Sequence, residues 1–205
     1  MLYKCFLGDE MQDDKHILDV PVLRSIFHFI SWLFVKFTGW KIIGEVPDVP
    51  KMIAIAAPHT SNWDFPVFMS MVGLLRLRVR YLGKHTLFKP PFGAVFRLLG
   101  GTPVERGTAQ ASDVFQAAVK LVGEKDRIIL GLAPEGTRSG DGGWKTGFYR
   151  IAVETGVPIL IAYLDAPRKE VGVHGLFYPT GDMQADIASI RAIYAGKTGI
   201  KPPTA

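Results

Sequence analysis

Cysteine occurs once in 205 residues, as Cys5. That excludes an internal disulfide framework and a cysteine metal cluster, and it fits a reducing, cytoplasmic setting. The five histidines form no H-E-x-x-H arrangement, which disfavours a zinc hydrolase, and no metal site or cofactor is expected. No G-x-S-x-G is present, and Ser139 in "TRSGD" lacks a nucleophile elbow, so a serine hydrolase is disfavoured. "AGKTG" falls short of a phosphate loop, because Arg191 stands where a glycine five residues before Gly196 is needed. Between Arg24 and Lys36 the apolar run is too short for a hydrocarbon core that takes ~20 residues to cross. The first twenty residues are acidic where a secretory signal would be basic and then apolar, so no signal peptide is expected. Repeats and low-complexity segments are also lacking.

What is present describes a folded, basic, aromatic-rich chain. Hydrophobic residues at 48% against 21% charged exclude disorder, and the length suits one domain with a sizeable core. Thirteen Phe, four Trp and a mean hydropathy of +0.18 lean toward membrane contact. The net charge is +5 although "GDEMQDDKHILD" is acidic, so the remainder is more basic than the total. Such a surface suits nucleic acid, anionic lipid, phosphorylated metabolites or coenzyme A.

Residues 1–20 read as a polar lead-in. "VLRSIFHFISWLFVKFTGW", residues 22–40, predicts an amphipathic helix with Arg24, His28 and Ser31 on one face. Phe27, Ile30, Leu33, Phe34 and Phe37 crowd the other faces. It fits a helix lying in a membrane interface with Trp32 and Trp40 at headgroup depth, and equally a helix packed on the domain's own core. "KMIAIAAPH" predicts a buried strand, and "NWDFPVFMSMVGLL" a helix with Asn62 or Asp64 as N-cap. "RLRVRYLGK" alternates as a strand does, which puts Arg76, Arg78 and Arg80 on one face. "PPFGAVFRLLGG" predicts a short helix and "TPVERG" a strand end and turn. Beyond these, helices are expected at "TAQASDVFQAAVKLVGEK", "GFYRIAVETG" and "ADIASIRAIYAG", and strands at "DRIILGL" and "VPILIAYLD". "KTGIKPPTA" is expected to fray. The alternation predicts an α/β fold with a largely parallel or mixed sheet flanked by helices. Residues 1–40 would form the lead-in and amphipathic membrane-docking helix, and residues 41–205 the α/β domain.

In such sheets, chemistry gathers in loops after the carboxyl ends of strands. Three loops qualify: "PHTSNWD", "GGTPVERG" and "PEGTRSG". In the first, His59 and Asp64 are five residues apart, roughly 500° around a helix, so a continuous helix would separate them. A loop running into a helix start lets the carboxylate reach back to one ring nitrogen. The other nitrogen can then take a proton from a substrate hydroxyl. The competing reading is a loop histidine beside a capping aspartate. In the third loop, Gly136 lets the backbone bend near Arg138, a plausible anion site, and Glu135 could balance Arg138 or hold loop amides. Arg106 could bind phosphate or pair with Glu105. Lys145 and Lys84 extend the basic territory, which is also what a solvated face would look like.

Four blocks in order resemble the glycerolipid acyltransferases, the family of 1-acylglycerol-3-phosphate acyltransferases. They are H-x-x-x-x-D in "HTSNWD", Gly100 to Arg106 in "GGTPVER", Glu135 to Arg138 in "EGTR", and the apolar "VPILIA". The likeness spans roughly residues 51–165. Pro58 stands where many members have asparagine, and the fourth block lacks its usual second proline. The resemblance implies acyl transfer in phospholipid biosynthesis, from acyl-CoA or acyl carrier protein to a hydroxyl of a lysophospholipid. His59 and Asp64 would be catalytic. Arg106, Arg138, Glu135, Gly136 and Thr137, with Lys84 and Lys145 nearby, would bind substrate. The partners implied are a lipid acceptor, the acyl donor and a membrane surface, not nucleic acid, with the protein peripheral or monotopic at a cytoplasmic face. A non-phosphate lyso-aminolipid acceptor, or a membrane-peripheral lipid-binding protein without activity, are the alternatives.

Overall fold

Strand β2 (Lys51–Ala57) shows how the chain builds its layers. Ile53, Ile55 and Ala57 point into one apolar cluster, while Met52 and Ala54 point into another. A near-continuous apolar run is what a central strand needs, because helices cover both of its faces. The computed structural model describes residues 16–104, 111–136 and 143–201. Among these, seven strands form one sheet in the order β1 (Lys41–Ile43), β7 (Glu170–Phe177), β6 (Ile159–Asp165), β2, β5 (Ile128–Leu132), β3 (Val79–Lys84), β4 (Gly101–Val104). The strands from β6 to β4 are parallel. β7 pairs antiparallel with β6, and β1 runs parallel to β7. The connection 166–169 leaves no room for a crossover helix, so β7 has to return antiparallel.

Helices α1 (Pro21–Thr38), α2 (Asp64–Leu74) and α3 (Gly93–Leu98) lie on one face of the sheet. α4 (Ala111–Glu124), α5 (Gly147–Thr155) and α6 (Met183–Ile193) cover the other, on Ile53, Ile55, Leu130, Ile159 and Ile161. The pleat assigns α3 its side: Leu82 joins the α4–α6 cluster, so Tyr81 points the opposite way, and there it meets Phe65 of α2 at 5.5 Å between ring centroids. Phe65 meets Phe96 of α3 at 5.8 Å.

α1 approaches α2 closely where small residues meet: a Cβ on Gly73 would run into Ser31. His28 Nδ1 lies 3.3 Å from Gly73 O, and Phe27 and Ser31 are the buried residues of α1. The helix ends at Gly39, whose φ of 75° is favoured by glycine and whose N–H returns to Val35 O at 2.9 Å.

Five expectations need correction. β3 begins at Val79, and Arg76 sits before it at φ 51°, so Arg76, Arg78 and Arg80 do not share a strand face. Arg78 instead donates to Asp19 at 2.7 Å. The residue before α2 is Trp63, without a side-chain cap, rather than Asn62 or Asp64. Trp40 packs inward beside the Met52–Leu164 cluster instead of standing at headgroup depth. Residues 197–201 dock instead of fraying: Ala166 N–H donates to Thr198 O at 2.8 Å, and Lys201 N–H to Thr60 Oγ1 at 3.1 Å. Finally, β1 and β7 extend the sheet beyond the strands the sequence suggests.

Candidate active site

β2 and β5 are parallel neighbours, so their carboxyl ends deliver the first and third loops side by side. The loops touch directly: His59 N–H donates to Glu135 Oε2 at 2.6 Å. Asp64 is the first residue of α2 and fully buried. Its Oδ2 accepts the N–H groups of Thr60 at 2.6 Å and Ser61 at 2.7 Å, and it lies 3.2 Å from His59 Nδ1. The five-residue spacing is thus met by a loop and a helix start. Asp64 holds the loop amides with the same oxygen that it offers to the ring. A carboxylate at the N-terminus of α2 also faces the positive end of the helix dipole.

The His59 side chain is 21% exposed, so it reaches solvent from beside a buried partner. With Nδ1 donating to Asp64, the neutral ring carries its lone pair on Nε2. Ser61 Oγ accepts from Trp63 N–H at 3.2 Å and closes the loop. Asp64 Oδ1 is buried and has no hydrogen-bond partner among the described residues.

Glu135 is held as much as it holds. Burial pushes its carboxyl above the usual range, against the opposing effect of the His59 N–H and ring. Behind it, the Tyr194 hydroxyl donates to Ala162 O at 2.8 Å. Burial first, and Glu135's charge second, push that phenol up. Gly136 turns at φ 70°, and a Cβ there would lie 3.2 Å from Lys145 Cγ. Lys145 N–H donates to Pro134 O at 2.6 Å, so its stem runs along the third loop. Lys84 ends β3, exposed and two strands from β2, about 10 Å away at normal strand spacing. Arg106, Thr137 and Arg138 lie outside the described residues.

Two contributors escape a reading of the sequence. Residues 199–201 press on Thr60, inside the H-x-x-x-x-D run, and a Cβ on Gly199 would run into Thr60 Oγ1. Tyr194 braces β2 and β6 beneath the site, also within 3.3 Å of Ile55 O. The only signal for the first is an apolar Ile200 next to a glycine in an otherwise polar tail. For Tyr194 there is none. Beside the His59 loop, Trp63, Val67, Phe34, Trp40, Ala166 and Ile200 line an apolar hollow of about 320 Å³.

The family model described as Acyltransferase matches residues 43–164, more than half of the chain and every residue of the His59–Asp64–Glu135 cluster. The chain belongs to the acyltransferase family. Among curated acyltransferases, the 1-acyl-sn-glycerol-3-phosphate acyltransferase of Salmonella typhimurium is 30% identical over 123 residues, 58% of this chain and 49% of that protein. The enzyme of that name from Haemophilus influenzae is 26% identical over 144 residues, 66% of this chain and 58% of that one. The chain spans about half the length of the curated relatives it matches. Its fold is similar to the crystal structure of the 1-acyl-sn-glycerophosphate (LPA) acyltransferase PlsC from Thermotoga maritima, with a TM-score of 0.58 and 18% identity. That likeness covers 93% of this chain and 84% of the other, and it concerns the fold alone.

Proposed function

We propose that the protein moves a fatty acyl group from acyl-CoA or acyl carrier protein to a hydroxyl of a lysophospholipid such as 1-acylglycerol-3-phosphate. The observation that carries this reading is the 3.2 Å approach of His59 Nδ1 to a buried Asp64, with the ring still open to solvent. Nε2 takes the proton of the acceptor hydroxyl as that oxygen attacks the thioester carbonyl. The tetrahedral intermediate expels the thiolate, and the proton on Nε2 passes to it. One C–O bond forms, one C–S bond breaks, and no acyl-enzyme is needed. Asp64 keeps Nδ1 as the donor throughout, as the aspartate of a triad does. Glu135 fixes the backbone of His59, and its neighbours Gly136, Thr137 and Arg138, with Arg106, Lys84 and Lys145, form the acceptor side. The apolar hollow at Trp63 suits a fatty chain.

Residues 1–40 act in this proposal as a membrane-docking unit and residues 41–205 as the acyltransferase domain, peripheral at a cytoplasmic face. The helix turns its polar edge inward: His28 and Ser31 meet α2, while Val22, Ile26, Phe29, Ile30 and Phe37 are exposed, Phe37 by 81%. A helix whose outer face is the apolar one is suited to lie in a lipid interface. Among the described residues no helix is long and apolar enough to cross a membrane.

The test is thiol release from acyl-CoA with lysophosphatidic acid present. His59→Ala should lose the ~10²–10⁴-fold that a general base supplies, while circular dichroism stays unchanged. Near-normal turnover in that variant removes His59 from the chemistry. Thiol release that does not need the acceptor makes the protein a hydrolase instead.

A further inference from the structure

The connection from β3 to β4 carries a surface that the chemistry above does not use. From His85 to Leu98 this connection has two cations, Lys89 and Arg97, and no Asp or Glu. Within that stretch, large apolar side chains stand outward: Phe92 is 66% exposed, Val95 51% and Leu87 41%. Lys89, Pro90 and Pro91 are exposed beside them.

The inner side of the segment is firmly packed, so this exposure is not a loose end. Phe88 is buried and meets Phe96 at 6.3 Å, and Arg97 lies over the Phe88 ring and donates to Phe88 O at 3.1 Å. A Cβ on Gly93 would strike the Phe88 carbonyl, so the turn into α3 takes one shape only. Because β3 is parallel to β5 and β5 to β2, the segment leaves the sheet at the same edge as the His59 loop.

We propose that residues 85–95 seat the protein on the anionic phospholipid headgroups of a bilayer. Phe92, Val95 and Leu87 enter the interfacial layer, and Lys89 pairs with lipid phosphate. Charge complementarity selects the occupant. A stretch without acids meets no repulsion from an anionic sheet of lipid, and a wholly apolar partner would strand Lys89. The surface is distinct from the outer face of α1, and it does not depend on His59 being the base.

The experiment measures partitioning of the full chain onto vesicles of phosphatidylcholine alone and of phosphatidylcholine mixed with phosphatidylglycerol. Phe92→Ser should weaken binding to both by about tenfold or more, since it removes one buried aromatic anchor. Lys89→Glu should weaken binding about fivefold or more on the anionic vesicles only. Both positions are exposed, so circular dichroism should match the wild type. Phe37→Ser on α1, alone and with Phe92→Ser, separates the two surfaces, because independent contacts multiply their losses. Wild-type partitioning by both Phe92→Ser and Lys89→Glu overturns the proposal. So does a wild type that ignores anionic lipid, or losses confined to an acidic acyl carrier protein, which would make the face a protein-docking site. Partitioning is read without turnover, so an inactive enzyme still gives an answer.

Discussion

Replacing Asp64 by asparagine separates its two tasks. Oδ2 accepts from Thr60 N–H, Ser61 N–H and His59 Nδ1 at 2.6, 2.7 and 3.2 Å. In Asp64→Asn the backbone donors force the new amide oxygen into the Oδ2 position, because an amide NH₂ there would face two N–H groups. The NH₂ then lands where Oδ1 was, a buried place with no partner among the described residues. Three charge-assisted bonds become neutral ones, a loss of about 1 kcal/mol each. The stranded NH₂ costs about 1–3 kcal/mol more, offset in part because a neutral amide is cheaper to bury than a carboxylate. A net destabilisation of about 2–4 kcal/mol should leave a domain of ordinary stability folded. Turnover should fall about 10²–10⁴-fold, since His59 loses the charge opposite its Nδ1. The sharper assay is the double variant. If Asp64 acts through the ring, His59→Ala with Asp64→Asn is no slower in thiol release than His59→Ala alone. Losses that multiply would show that Asp64 works independently of His59, and the proposed proton path would fail.

Three further outcomes follow from neighbouring contacts. Glu135→Gln keeps an oxygen for His59 N–H and should stay within about tenfold of wild-type kcat, whereas Glu135→Ala strands that donor, costs about 1–3 kcal/mol in a melt and slows turnover further; equal damage from both would move Glu135 into acceptor binding. Gly199→Ala drives a Cβ into Thr60 Oγ1 and should cost about 1–3 kcal/mol with a lower kcat, restored in part by Thr60→Ala; an unaltered melt and rate would remove the C-terminal segment from loop positioning. Burial first, then Arg80 and Arg78, lower His16 to about 4 in the folded chain from 6.5. The unfolded chain therefore takes the proton first, and stability is lost as pH falls from about 6.5 to 4, by up to about 3 kcal/mol. His16→Leu should flatten that part of the stability–pH curve, and an unchanged slope would rule His16 out as its source.

The runs "KMIAIAA", "IILGL" and "ILIAYLD" are legible as buried strands because both faces of a central parallel strand must be apolar. β1 has only three residues and β7 carries Gly172 and Gly175, so neither has the pattern of a strand until β6 is there to pair with it. Arg76, Arg78 and Arg80 alternate convincingly, yet the backbone turns left-handed at Arg76 and the strand starts late. In α1 the polar stripe divides: His28 and Ser31 pack against α2, because Ser31 is small enough to sit on Gly73, while Arg24 stays exposed.

The residue types of the candidate site, and the order of the four blocks that carry them, are properties of the chain itself. They are fixed by local chemistry: a histidine and a carboxylate close enough in sequence for a loop and one helical turn to join them. The order of strands is not local. Only the adjacency of β2 and β5 brings Glu135, 76 residues further on, to the backbone of His59. Only packing seals Asp64 from water while its partner ring stays open. Contacts between distant segments depend on which surfaces bury each other, and no short stretch of sequence contains that information.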